Sequence, residues 1–181
     1  MFVDRDGTLI EEVGYLDRLD RIDIYPYSVD AVRLLNRAGF AVVVTTNQSG
    51  VARGYFDEAF VAAAHERIAS TFAAGGARID AFYYCPHHPE AAVAAYRQAC
   101  DCRKPRPGLL QRAARELDLD PRRSYVIGDR ANDIDAGRAV GAATVLLRTG
   151  YGADAATATR DAASTVAGNL IEAVAWILRQ P

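Results

Sequence analysis

Little in this chain can cross-link it. Only three cysteines, Cys85, Cys100 and Cys102, occur among 181 residues, and an odd count does not suit the disulfide framework of a small secreted domain. An excess of one charge is also missing: 21 basic side chains oppose 23 acidic ones, dispersed along the chain, for a net charge of -2. That balance excludes the basic footprint with which a protein grips a nucleic-acid backbone. The expected partner is therefore a small molecule held by local arginines and lysines. Apolar runs are all far shorter than the roughly 20 residues that cross a bilayer, and Asp4, Arg5 and Asp6 interrupt the start before any signal-like apolar core. No membrane partner is expected, and the cytoplasm is the expected compartment. Internal repeats, low-complexity tracts and linkers are lacking too. One domain over residues 1–181 is expected, acting as a monomer, with enough hydrophobic residues to fill a single core.

What is present alternates. Short β-branched or aromatic runs at Met1–Val3, Phe40–Thr45, Ile79–Tyr84, Ser124–Ile127 and Ala143–Leu147 are separated by stretches of helical period. This pattern predicts βαβ units, and hence an α/β, Rossmann-like three-layer sandwich around a five-stranded parallel sheet. Helices are predicted over Ser28–Arg37, from an N-cap at Asp57 to about Ala73, from Pro107 as first helical residue to about Leu117, over Asn132–Val140 and over Asn169–Leu178. The first strand is clipped, because a strand usually has about five or six residues and only Met1, Phe2 and Val3 precede Asp4. The expectation is that the native chain starts before Met1.

In an open parallel sheet, ligands bind outside the carboxyl ends of the strands, so the residues just after each apolar run matter most. After the first run come Asp4, Asp6, Gly7 and Thr8; after the second, Thr46, Asn47, Gln48 and Ser49; after the fourth, Asp129, Arg130 and, one helical turn on, Asp133. Arg103 and Lys104 stand just before the third helix. Acids and a lysine with hydroxyls between them suit Mg²⁺ together with a phosphate, since Mg²⁺ takes oxygen ligands and shares the phosphate with one or two carboxylates. A carboxylate nucleophile would divide phosphate-ester hydrolysis, one of the slowest uncatalysed reactions, into two easier displacements. Residues i and i+2 of an extended segment face one side. Asp4 and Asp6 both reach a phosphate if the chain stays extended, whereas a turn at Gly7 swings Asp6 toward the leaving group.

The cysteines have a different logic. CPHHPEAAVAAYRQACDC holds all three of them and two of the three histidines. A Cys-x-His pair followed by a Cys-x-Cys pair offers a closed Cys₃His tetrahedron for Zn²⁺, with Cys85, His87, Cys100 and Cys102 as ligands. His88 is the alternative to His87, which the one-residue spacing favours. With no open position the zinc is expected to be structural, and Arg103 and Lys104 follow Cys102 directly, so a closed loop would fix both at the catalytic edge.

DRDGT at 4–8, TTN at 45–47, RK at 103–104 and GDRAND at 128–133, in that order at strand ends, resemble the four motifs of the haloacid dehalogenase (HAD) superfamily of aspartate-nucleophile phosphatases. The resemblance implies that Asp4 attacks phosphorus, that Asp6 serves as general acid and then base, and that Thr46 and Lys104 hold the phosphoryl oxygens. It further implies Mg²⁺ bound by Asp4, Asp129 and the backbone carbonyl of Asp6, with Asp133 supporting from behind. A HAD-type fold with no large cap domain is expected, because no insertion is long enough for one. The roof over the site would then come from Glu11–Ile24, the SGVARGY segment and the zinc loop.

The zinc loop narrows the resemblance to a subgroup that contains heptose 1,7-bisphosphate 7-phosphatases and histidinol-phosphate phosphatases. GYL at 14–16, TNQSGVARGYF at 46–56, FYYCPHHP at 82–89, CDCRKPRPG at 100–108 and LLRTGYG at 146–152 are similar to the heptose enzymes. The implied activity is removal of the 7-phosphate of a sugar bisphosphate. Carried over by position, substrate contacts would include Glu12, Val13, Gly14, Tyr15, Thr46, Asn47, Gln48, Ser49, Arg103, Lys104 and Arg130. Arg53 is a further candidate, since a bisphosphate needs more than one cationic contact. A histidinol-phosphate or polynucleotide 3′-phosphatase is the second enzyme reading, the latter opposed by the balanced charge. A non-catalytic zinc-stabilised binding module is opposed by the filled catalytic positions.

Overall fold

Among the described residues, six parallel strands in the order β3-β2-β1-β4-β5-β6 make up the sheet. The structure is a computed structural model and describes residues 1–155 and 157–180. The strands are β1 (Phe2–Val3), β2 (Val43–Asn47), β3 (Ala81–Cys85), β4 (Tyr125–Gly128), β5 (Ala143–Leu147) and β6 (Thr165–Ala167). The helices are α1 (Ser28–Arg37), α2 (Ser49–Arg53), α3 (Glu58–Ala74), α4 (Gly108–Glu116), α5 (Ala131–Ala139), α6 (Thr157–Ala162) and α7 (Leu170–Ile177).

Alternation along the strands produces the three layers. Successive side chains of a strand point to opposite faces: Val3, Val44 and Ile127 pack with Val32, Leu35, Ile68, Phe72 and Val174 on one face. Phe2, Val43 and Val126 pack with Leu109, Leu110, Ala113 and Ala136 on the other. β1 is short, but both of its residues are fully buried and pair with β2 and β4 at once.

Several boundaries differ from the sequence reading. The sheet has six strands, not five: Thr165–Ala167 pairs with β5 from Val145 to Leu147, and three residues are too few to show a period. Thr46 and Asn47 end β2, and Cys85 ends β3, one pair of the same register, Asn47 opposite Cys85. Pro107 precedes α4 instead of opening it. The Asp57 cap is found, its Oδ1 accepting from Phe60 N–H at 2.8 Å. No helix among the described residues is long and apolar enough to cross a membrane.

Candidate functional site

Register brings the first two acids together. Val3 pairs with Ile127 and the Asp4 N–H donates to the Ile127 carbonyl at 2.9 Å, so the chain leaves β1 at Asp4 beside the point where it leaves β4 for Asp129. Asp133 joins them from the first turn of α5, where it accepts from the Arg130 N–H at 3.1 Å. Carboxylate oxygens of Asp4, Asp129 and Asp133 lie within 4.8 Å of one another, and all three residues are buried. Lys104 is buried against two of them: its Nζ donates to Asp4 Oδ1 at 2.9 Å, to the Thr45 carbonyl at 2.7 Å and to Asp133.

One ammonium cannot neutralise three acids. Burial pushes Asp4 up to about 7, with Lys104 opposing and the charges of Asp133 and Asp6 adding to the rise. Burial and then the Asp4 and Asp133 charges push Asp129 up to about 8. Burial disfavours the Lys104 charge, yet Asp133 and Asp4 together outweigh it and raise its pKa. Asp129 Oδ1 is buried with no hydrogen-bond partner among the described residues, while Oδ2 accepts from the Tyr151 N–H at 2.8 Å. Gly7 (φ 74) and Gly150 (φ 50) pass so close that a Cβ on either would overlap Asp129 Oδ2. An all-oxygen, over-charged cradle with an orphaned carboxylate oxygen fits a hard divalent cation such as Mg²⁺.

Gly7 turns the chain, and the Asp6 carboxylate is not in that acidic group. It accepts from Arg5 Nε at 3.1 Å, from Arg5 Nη2 at 2.9 Å and from Gln48 Nε2 at 3.0 Å. Asn47 clamps the peptide of Lys104, donating to its carbonyl at 3.0 Å and accepting from its N–H at 3.1 Å.

A cleft of about 230 Å³ opens above this floor. Asp4, Asp6, Thr46 and Lys104 line it, with Glu12, Gly14, Tyr15, Asn47, Gln48, Ser49, Arg53, Arg103 and Arg130 around them. Val13 is the departure from the sequence reading: it does not line the cleft, and its side chain packs against the larger core. At the mouth, Arg130 pairs with Glu12 at 3.0 Å and lies 3.7 Å over the Tyr151 ring. Arg53 lies 6.0 Å from the Tyr15 ring. Arg5, Phe56, Asn132 and Tyr151 also line the cleft and were missed. Tyr151 follows β5, so the strand-end argument applied to the fifth run would have reached it.

The cysteine cluster closes on itself. Cys85 and Cys102 sulfurs are 3.0 Å apart, Cys100 and Cys102 3.1 Å, and Cys85 and Cys100 3.4 Å. His87 Nδ1 is 3.4 Å from Cys102 Sγ, whereas His88 Nδ1 accepts from the Glu90 N–H. His87 thus completes the four-donor group, whose soft ligands at tetrahedral count fit Zn²⁺. Arg103 extends from this loop toward the cleft and donates back to the His87 carbonyl at 3.4 Å.

Comparisons with known proteins identify the family. Residues 101–173 match a family model described as HAD-hyrolase-like. The chain is 44% identical over 151 residues to D-glycero-beta-D-manno-heptose-1,7-bisphosphate 7-phosphatase of Escherichia coli K12, spanning 83% of this chain and 79% of that one. A crystal structure of D,D-heptose 1.7-bisphosphate phosphatase from B. bronchiseptica, complexed with magnesium and phosphate, superposes with a TM-score of 0.87 at 31% identity, covering 100% of this chain and 98% of that chain. The enzyme of the same name from Burkholderia thailandensis superposes at 0.71 with 30% identity, over 99% and 97% of the two chains. At this identity and coverage, the chain belongs to the HAD-like hydrolases, in the family of the heptose 1,7-bisphosphate phosphatases.

Proposed function

We propose that the protein is a Mg²⁺-dependent phosphatase that removes the 7-phosphate of D-glycero-D-manno-heptose 1,7-bisphosphate through an aspartyl-phosphate. The observation that carries this reading is the pairing of Asp4 and Asp133 with buried Lys104 on the lining of the cleft, with Asp129 grouped beside the two acids just beneath it. Asp4 and Asp129, with the Asp6 backbone carbonyl and with Asp133 behind, would hold Mg²⁺, which when bound supplies positive charge against the phosphoryl oxygens. Asp4 attacks phosphorus while the bond to the sugar oxygen breaks, and Asp6 gives that oxygen its proton. Asp6 then takes a proton from water, which attacks the aspartyl-phosphate, frees Asp4 and releases inorganic phosphate. Thr46 and Lys104 hold the phosphoryl oxygens. Glu12, Gly14, Tyr15, Ser49, Arg53, Arg103 and Arg130 line the path of the sugar and its second phosphate.

Zn²⁺ on Cys85, His87, Cys100 and Cys102 is structural in this reading. The whole of residues 1–181 acts as one HAD-like domain, a cytoplasmic monomer with a small sugar phosphate as its partner. A phosphate-release panel tests the substrate: both anomers of heptose 1,7-bisphosphate against histidinol phosphate and fructose 1,6-bisphosphate. The heptose bisphosphate is expected to give the highest kcat/KM, and a preference for histidinol phosphate would overturn the assignment.

A further inference from the structure

We propose that Gln48 is a positioning residue which, locked by the buried Arg5, sets both the direction of the Thr46 hydroxyl and the place of the Asp6 carboxylate. The inference rests on the phosphatase reading of the cleft and removes Gln48 from the substrate contacts.

The lock follows from hydrogen-bond inventory. Arg5 is 2% exposed and Gln48 4%. An arginine side chain has donors only, and Arg5 Nη2 lies 2.9 Å from Gln48 Oε1. The amide cannot be flipped without placing donor against donor, so Nε2 must face the other way. There it lies 2.8 Å from Thr46 Oγ1 and 3.0 Å from Asp6 Oδ2. Both of its N–H groups are therefore engaged within the protein.

Each end of the network has a chemical consequence. The Thr46 oxygen accepts from Gln48, so its single proton must go to another acceptor. Thr46 lines the cleft, and a phosphoryl oxygen there is that acceptor. Asp6 receives three donors from Arg5 and Gln48, which hold it beside the cleft and outside the acidic trio. The proton it delivers goes to the leaving oxygen as the P–O bond to that oxygen breaks and the bond from Asp4 to phosphorus forms.

The test uses Gln48→Met, nearly isosteric but unable to make these bonds, with p-nitrophenyl phosphate and an alkyl sugar phosphate as substrates. An aryl leaving group needs little protonation, whereas an alkoxide needs it fully. The expected result is a kcat loss on the order of 10²-fold for the alkyl ester and a several-fold smaller loss for the aryl ester. KM for both should stay within about threefold, as for an interaction outside ground-state binding. Gln48→Glu, which keeps the acceptor for Arg5 but loses both donors, should give the same pattern. Thr46→Val should cost less in the Gln48→Met background than in the wild type. Circular dichroism and thermal melting establish that each variant is folded. Equal losses on the two esters, a change confined to KM, or additive costs would overturn the inference alone. Failure of the wild-type protein to release phosphate from either ester would overturn the phosphatase reading and this inference with it.

Discussion

The acidic trio and the cysteine cluster occupy the same edge of one sheet, yet they are built in opposite ways. The trio offers oxygen donors from rigid strand ends and a helix turn, faces a cleft through Asp4 and Asp133, and keeps one carboxylate oxygen without a partner among the described residues. The cluster offers three sulfurs and one nitrogen, mutually within contact, on a loop that departs β3 at Cys85 and returns at Cys102. A tetrahedral ion held by four protein donors has no position left for a substrate, whereas a hard cation held by a few carboxylates keeps positions for water and phosphate. One site is arranged for exchange and the other for permanence. They meet at Lys104, which the loop delivers two residues after Cys102 and which Asn47, paired in register with Cys85, clamps by its backbone.

That division of labour can be broken at three points. The largest effect should come from Asp4→Asn, which removes the nucleophile: phosphate release should fall by at least about 10³-fold while circular dichroism stays unchanged, and unchanged release would end the nucleophile assignment. Next comes Cys100→Ser, which should lower zinc content, as read by elemental analysis, and forfeit much of the ~10 kcal/mol that closing such a site supplies. Activity should fall with it, since Lys104 loses its anchor; His88→Ala should leave zinc content intact. Full activity in a zinc-free variant would separate the two sites.

The smallest effect is a pH dependence. Without the cation, Asp4 and Asp129 titrate near 7 and 8 instead of the ordinary carboxylate value of 3.8. The metal-free folded protein then holds protons that the unfolded chain has released. The associated stability is fully present below about pH 4 and is lost as pH rises through the folded values. Mg²⁺ replaces those protons, so the rise in Tm that Mg²⁺ produces should be least near pH 5.5 and grow to a few degrees near pH 8.5. A rise greatest at the acid end would put the cation elsewhere.

Much of this arrangement was legible in the sequence because it rests on local rules. Buried strands read as short apolar runs, and the strand-end argument found Asp4, Thr46, Asp129 and Asp133 without coordinates. The four-donor cysteine and histidine group followed from spacing, which also favoured His87 over His88, and the geometry brings that same set together. What escaped depends on packing. Arg5, between two acids, reads as a solvated charge, but the fold buries it completely and makes it the partner of both Asp6 and Gln48. Val13 and Gly14 are neighbours in sequence, yet of the two Gly14 alone lines the cleft. β6 is too short to announce itself and exists because β5 presents an open edge to it.

The walls around Asp129 bear on how this protein could be redesigned. Gly7 and Gly150 contribute no functional group, and each leaves a hydrogen where any other residue would collide with the Asp129 carboxylate. A combinatorial library that preserved every charged residue of the cleft but randomised these two positions would retain all the chemistry and lose the room for it.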